Sequence, residues 1–121
     1  MVINLITITS CTSSNEMIKE DNFLYMEEVY AYAKKYYSES NWIECSKWYD
    51  KLEAEYPKNP YMDESLFMRG YIYKTYIQDT TKAEKYFNTL ILNYPGSSFA
   101  SSAEFELKYI NDPDFVPNFE K

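Results

Sequence analysis

The sequence predicts an all-α fold, an α-solenoid of about five antiparallel helices arranged as two repeats and a closing helix. Only two glycines and five prolines occur among 121 residues, so few residues interrupt helices in the middle of the chain. Apolar side chains recur there at helical spacing. The pair Tyr56-Pro57 also recurs 38 residues later as Tyr94-Pro95, and a period of this length is typical of stacked helical units.

The two units match at more positions than this pair. Small residues allow paired helices to approach closely, and large aromatic and apolar residues fill the space between them. One extra residue, expected near positions 79–81, would explain why the offset is 37 in the first part of the unit and 38 afterwards. The matched positions are Ala33 and Gly70, Tyr36 and Tyr73, Cys45 and Ala83, Tyr49 and Phe87, and Leu52 and Leu90.

Capping residues and prolines predict the helix boundaries. Asn41 and Thr81 are each followed three residues later by a glutamate, a pattern typical of helix starts. Pro57 and Pro95 predict helix ends. The fifth helix has no second helix to pair with and is expected to close the stack, while the tail 111–121 is expected to be irregular. The predicted helices span residues 21–38, 42–56, 62–78, 81–94 and 99–110.

The matched residues resemble the consensus of tetratricopeptide (TPR) repeats, which places a TPR-like domain at residues 21–110. The resemblance implies that the first helix of each repeat lines a groove for a partner protein. Aromatic rings with adaptable charges suit the capture of an extended peptide or a partner helix. The alternative is that some of these rings only pack against neighbouring helices, and for Phe67 both interpretations stay open. The implied groove residues are Glu27, Tyr30, Lys34, Tyr37, Glu64, Phe67, Tyr71 and Lys74.

Composition disfavours several classes of function. The formal net charge is -7 and the pI is near 4.6, so the phosphate backbone of a nucleic acid would be repelled. Histidine, the commonest general base and metal ligand, is absent. The carboxylate pairs Glu27-Glu28 and Asp112/Asp114 lack the spacing of a cation-binding loop. We therefore expect no catalytic residues, no cofactor and no metal, and we expect Cys45 to be a buried, unreactive thiol.

The amino terminus carries a possible lipidation motif. Residues 2–8 form an apolar run that is too short for a bilayer, which takes about 20 residues. The order Ile8-Thr9-Ser10-Cys11 resembles a bacterial lipobox, so residues 1–10 would be a signal segment and residues 11–20 a lipidated Cys11 and its tether. Two or more acyl chains anchor a protein stably, where one does not. The alternative is an apolar amino terminus with an incidental cysteine.

Together, the lipobox-like motif, the units that end in Tyr-Pro and the segment 95–103 (Pro-Gly-Ser-Ser-Phe-Ala-Ser-Ser-Ala) resemble the BamD (ComL-like) family of outer-membrane assembly lipoproteins. The resemblance covers roughly residues 8–110. Proteins of that family carry more repeats, so this chain would be a shortened version.

The resemblance implies a non-catalytic protein–protein interaction module on the periplasmic face of the outer membrane, held there by its lipid anchor alone. It would serve as a subunit or receptor in β-barrel protein assembly. Its partners would be the barrel-insertion machinery, unfolded barrel precursors, or both. The alternative is an unanchored TPR adaptor, cytoplasmic or soluble in the periplasm, in envelope division or another complex. Periplasmic TPR proteins of the Tol-Pal group share the Tyr-Pro-x-Ser boundary.

Overall fold

The structure, a computed structural model, describes residues 24–112, 114 and 115. Within this range the chain forms five α-helices and no β-strand, so the predicted all-α class is confirmed. The arrangement is compatible with a helical-repeat fold. A π-helical turn, Tyr73–Ile77, extends the third helix. The helices are α1 (Met26–Ser38), α2 (Trp42–Glu55), α3 (Met62–Ile72), α4 (Thr80–Asn93) and α5 (Ser98–Asn111).

Helices pack in sequential pairs. Helix α1 packs on α2, α3 packs on α4, and α5 lies against both α3 and α4. Two hydrophobic clusters result, one between α1 and α2 and one among α3, α4 and α5. Ile72 of α3 belongs to the first cluster and so ties the two pairs together. The two clusters therefore hold the five helices together as one packed unit.

The matched repeat positions form this core. Ala33 of α1 is fully buried against α2, and Gly70 of α3 lies directly against the ring of Phe87 in α4. The small residue is needed at Gly70 because an added Cβ would lie 2.5 Å from Phe87 Cε1. The other fully buried matched residues are Cys45, Tyr49, Leu52, Ala83 and Leu90.

One predicted helix start is confirmed and the other is wrong. Asn41 caps α2, because its side-chain oxygen accepts a hydrogen bond from the backbone N–H of Glu44 at 3.4 Å. Helix α4 begins at Thr80, and its cap is Asp79 rather than Thr81. The Asp79 carboxylate accepts from the N–H of Lys82 at 3.0 Å, and a negative charge at a helix amino terminus is favourable.

The extra residue of the second unit lies in the π-helical turn, not at positions 79–81 as predicted. Ser40 and Gln78 both adopt left-handed backbone conformations, with φ of 56° and 63°. Each directly precedes a cap, Asn41 or Asp79. The offset is thus already 38 at Gln78, whereas it is still 37 at Gly70. A π-helical turn accommodates one inserted residue without ending the helix.

The described helices begin at Met26 and end at Asn111. The expected signal segment 1–10 and the tether 11–20 lie outside the described residues. Helix α1 begins at Met26 rather than near residue 21; Tyr25 is extended, and its N–H donates to Glu28 Oε2 at 2.9 Å. After α5, residues 112, 114 and 115 are non-helical.

None of the helices described here has the length and apolar composition to cross a membrane.

Candidate protein-interaction face

The Glu64 carboxylate on α3 accepts hydrogen bonds from two side chains of α1. The Tyr30 hydroxyl donates to Glu64 Oε1 and Oε2 at 3.1 and 2.9 Å, and Lys34 Nζ lies 2.8 Å from Oε1. The Tyr61 ring stacks on Tyr30, with centroids 4.0 Å apart and planes 6° apart. The Lys34 side chain stays 48% exposed, against 18% for Glu64. This cluster is therefore ordered before any partner binds and still presents a cation to solvent.

Electrostatics reinforce the cluster. Burial raises the pKa of Tyr30, and its hydrogen bond to the Glu64 carboxylate raises it further, so the hydroxyl remains a donor. The hydrogen bond to Glu64 likewise raises the pKa of Lys34, against the opposing effect of burial. Both groups keep the protonation state that the contact with Glu64 requires.

A second cluster consists of four aromatic residues where α1, α2 and the π-helical turn meet. Trp42 stacks on Tyr76 with ring centroids 3.7 Å apart and planes 5° apart. Tyr37 meets the edge of Trp42 at 5.4 Å, and Tyr71 meets the edge of Tyr76 at 6.1 Å. Tyr76 is 42% exposed. The cluster offers rigid apolar area with polar hydroxyl tips, a combination enriched at protein interfaces.

A third cluster joins α3 to α5. Lys74, in the π-helical turn, forms an ion pair with Glu106 of α5. Its ammonium also lies 5.2 Å from the centroid of the Tyr109 ring. A cation over an aromatic ring is attracted by the ring quadrupole. The turn therefore directs Tyr76 towards α2 and Lys74 towards α5.

We call the eight residues predicted for the groove, with their neighbours in these three clusters, the first-helix face. Tyr30, Lys34 and Glu64 come together as one cluster, Tyr37 and Tyr71 belong to the second, and Lys74 belongs to the third. The other two predicted residues differ from these.

Phe67 lies in the packing between helices, and Glu27 stands apart. The centroid of Phe67 is 5.9 Å from that of Phe87 and 5.6 Å from that of Phe99, so its ring fills the space among α3, α4 and α5. Phe67 therefore packs between helices, and since its ring is partly exposed and also lies 6.2 Å from that of Tyr71, its contact with a partner stays a prediction. Glu27 is exposed on the first turn of α1.

Sequence reasoning missed several members of the face. Tyr61 precedes α3 and Trp42 begins α2, so neither lies at the first-helix positions that the repeat consensus marks. Tyr76 was missed because the π-helical turn rotates it away from the regular helical register. The signal for the turn was present, since the offset changes from 37 to 38 between Gly70 and Gln78.

Arg69 forms a buried bridge on the other side of α3. It is 2% exposed; Nη1 donates to Asp50 Oδ1 at 2.8 Å, and Nη2 lies 2.6 Å from Glu53 Oε2 as an ion pair without hydrogen-bond geometry. The Tyr86 ring centroid is 4.6 Å from the guanidinium. Burial alone would lower the pKa of Arg69, but the carboxylates reverse this and raise it. Arg69 thus connects α2, α3 and α4 through charge and packing.

The Cys45 thiol is buried in the core. Burial raises the pKa of the Cys45 thiol to about 11, so the thiolate nucleophile is scarce at neutral pH. In the described part of the chain, no group of three or more histidine, cysteine, aspartate or glutamate residues could hold a metal ion.

No protein-family model and no curated protein matches this chain.

Proposed function

We propose that the protein is a non-catalytic protein–protein interaction module whose first-helix face binds a segment of a partner protein. One observation carries the proposal: three clusters of partly exposed aromatic rings and ion pairs connect α1 to α3, α1 and α2 to the π-helical turn, and that turn to α5. Their side chains are already ordered by contacts with each other. The face therefore loses less conformational entropy on binding a partner than a flexible surface would lose.

The chemistry of the face favours binding over catalysis. Lys34 and Lys74 are paired with Glu64 and Glu106, and the thiol of Cys45 is buried with a raised pKa. A general base needs a proton acceptor poised near neutral pH beside the reacting group, whereas these carboxylates already accept from cations. Tyrosine and tryptophan rings are instead the residues on which binding energy concentrates at interfaces.

In its finer form, the proposal follows the family resemblance. The chain would be a lipid-anchored TPR subunit of the BamD (ComL-like) type on the periplasmic face of the outer membrane. It would hold a segment of the barrel-insertion machinery or of an unfolded barrel precursor. The resemblance of Ile8-Thr9-Ser10-Cys11 to a lipobox and the Tyr-Pro boundaries of the two units support it. An unanchored adaptor in envelope division is the second candidate, supported by the same Tyr-Pro-x-Ser boundary.

Site-directed photo-cross-linking tests the binding face. A photoreactive phenylalanine replaces Tyr71 in one variant and Leu92 in the other, in living cells. Leu92 is the matched control, because it is 80% exposed on α4 and lies in none of the three clusters. We expect a discrete cross-linked partner at position 71 and none at 92. Equal cross-linking at both positions, or none at 71, would refute the proposed face. The identity of the partner separates barrel assembly from envelope division.

Metabolic labelling tests the anchor separately. Cells are fed a radioactive fatty acid, and the protein is recovered as wild type and as Cys11→Ala. We expect label on the wild type only, because the thioether to the lipid requires the Cys11 sulfur. Equal labelling of both forms would end the lipoprotein interpretation and leave the unanchored adaptor.

A further inference from the structure

Each first helix carries an aromatic ring that a second aromatic ring covers, and the second ring comes from the segment that follows. On α1 this ring is Tyr30, covered by Tyr61 with centroids 4.0 Å apart. On α3 it is Phe67, covered by Phe99 with centroids 5.6 Å apart. The covering residue lies at the start of the next first helix in both cases. The pattern is a regular feature of how the units join.

Helix α5 repeats the pattern with a covering ring from the tail. Phe105 lies 38 residues after Phe67, and Phe115 covers it edge-on with centroids 5.9 Å apart. Phe115 also meets Tyr109 at 5.4 Å. A tight turn returns the chain to α5, since the N–H of Phe115 donates to the carbonyl of Asp112 at 3.0 Å. We call Phe105 and Tyr109 the α5 aromatic site.

The flank of α5 is charged where the corresponding flank of α3 is apolar and packs on α4. The residues of α3 that face α4 include Leu66 and Gly70, both buried. The residues 38 positions later on α5 are Glu104 and Lys108, and both are exposed. Burying two charged side chains without partners against a second helix would be costly. Phe115 covers the aromatic site, while Glu104 and Lys108 on this flank stay exposed.

We infer that the α5 aromatic site is a docking site for a phenylalanine or tyrosine side chain on an extended segment of another protein, and that Phe115 is its internal occupant. Phe115 shows the chemistry that the site accepts: one aromatic ring that makes edge-to-face contacts with both Phe105 and Tyr109. A partner segment replaces Phe115 by competition. The site shares Tyr109 with the third cluster, but it takes an aromatic ring in place of Phe115 and uses none of the groove residues on α1, so the inference goes beyond the proposed function.

A peptide of the tail sequence, added to the full-length chain, tests the inference. The probe is a fluorescein-labelled peptide with the sequence of residues 111–117, and the control peptide has alanine in place of Phe115. The proteins are the wild type, Phe115→Ala, and Phe115→Ala combined with Phe105→Ala. Fluorescence anisotropy measures binding, and circular dichroism confirms that each protein is helical.

The expected order of affinity follows from competition within the chain. Phe115→Ala should bind the probe at least about ten-fold more tightly than the wild type, because a tethered competitor acts at millimolar effective concentration or above. The double variant and the control peptide should not bind. Equal affinity of the wild type and Phe115→Ala, or binding that survives Phe105→Ala, would overturn the inference.

The wild-type chain gives a second measurement if Phe115→Ala does not fold. Titration with millimolar peptide should shift the ring resonances of Phe105 and Tyr109 in NMR spectra and leave those of Tyr32 unmoved, because Tyr32 stacks on Trp48 at the α1–α2 pair. Unmoved resonances of Phe105 and Tyr109 would refute the docking site. Loss of partner cross-links at Tyr71 would leave this result unaffected.

Discussion

Gly70→Ala provides a direct test of how closely α3 and α4 approach. An alanine Cβ at this position would lie 2.5, 2.7 and 2.9 Å from three carbons of the Phe87 ring. Phe87 is fully buried, so its ring has no open space into which it could move. Overpacking of a closed core lowers the free energy of unfolding by about 3 kcal/mol at the upper end of the typical range. Alanine in place of glycine in a helix contributes about 1 kcal/mol in the opposite direction.

The balance predicts that Gly70→Ala destabilises the protein by about 2 kcal/mol. Urea unfolding followed by circular dichroism measures the change, and the melting temperature should fall by about 10 °C. Gly96→Ala is the matched control, because nothing lies within 4 Å of its added Cβ. That variant should be neutral or slightly stabilised.

A second substitution tests the cause. Phe87→Leu leaves a cavity on its own, but in the Gly70→Ala background the smaller side chain relieves the contact with the new Cβ. The combined loss should therefore be smaller than the sum of the two single losses. If Gly70→Ala is neutral or stabilising, or if the two losses simply add, the reasoning about close approach at this helix pair is wrong.

Three further predictions concern charges and hydrogen bonds. Arg69→Ala should cost about 2–3 kcal/mol in urea unfolding because it removes buried volume and both ion pairs, whereas Arg69→Met, which refills the space, should cost less than half as much. Burial raises the pKa of the Cys45 thiol from 9.0 to about 11. Between these values the unfolded chain releases a proton that the folded chain retains, so the free energy of unfolding should fall as pH rises from about 9 to about 11. Cys45→Ala should make this decline shallower, and an unchanged slope would contradict the assignment. A double-mutant cycle of Tyr30→Phe and Glu64→Gln should give a coupling energy of about 1 kcal/mol between α1 and α3, and zero coupling would mean that the hydrogen bond does not stabilise the junction.

The contacts among the predicted groove residues follow the consensus where the helix is regular. The repeat consensus placed Tyr30, Lys34 and Glu64 on one face, and in the structure the Tyr30 and Lys34 side chains of α1 both reach the Glu64 carboxylate of α3. The consensus gave no partner for Lys74, because Glu106 follows it by 32 residues on a helix whose position depends on packing. Whether these residues bind a partner stays a prediction for cross-linking to test.

The irregular positions were the hardest to predict. The change of offset between the two units showed that one residue is inserted. A sequence pattern does not say whether that residue lengthens a loop or forms a π-helical turn within a helix. The turn Tyr73–Ile77 is selected by contacts over distance, since Tyr76 stacks on Trp42 and Lys74 pairs with Glu106. Helix propensity reflects local sequence only, so it does not include the stabilisation that these distant contacts provide.

Local signals in the sequence were sufficient to predict the helical class, the five helices of the described residues and most core positions. Helical periodicity, small residues and prolines are local signals, and each has a direct steric cause. Which charges pair, where Arg69 is buried and how Phe115 returns to α5 follow from tertiary packing. These contacts join residues whose separation along the chain carries no periodic signal, so they exist only once the packed core has brought the helices together.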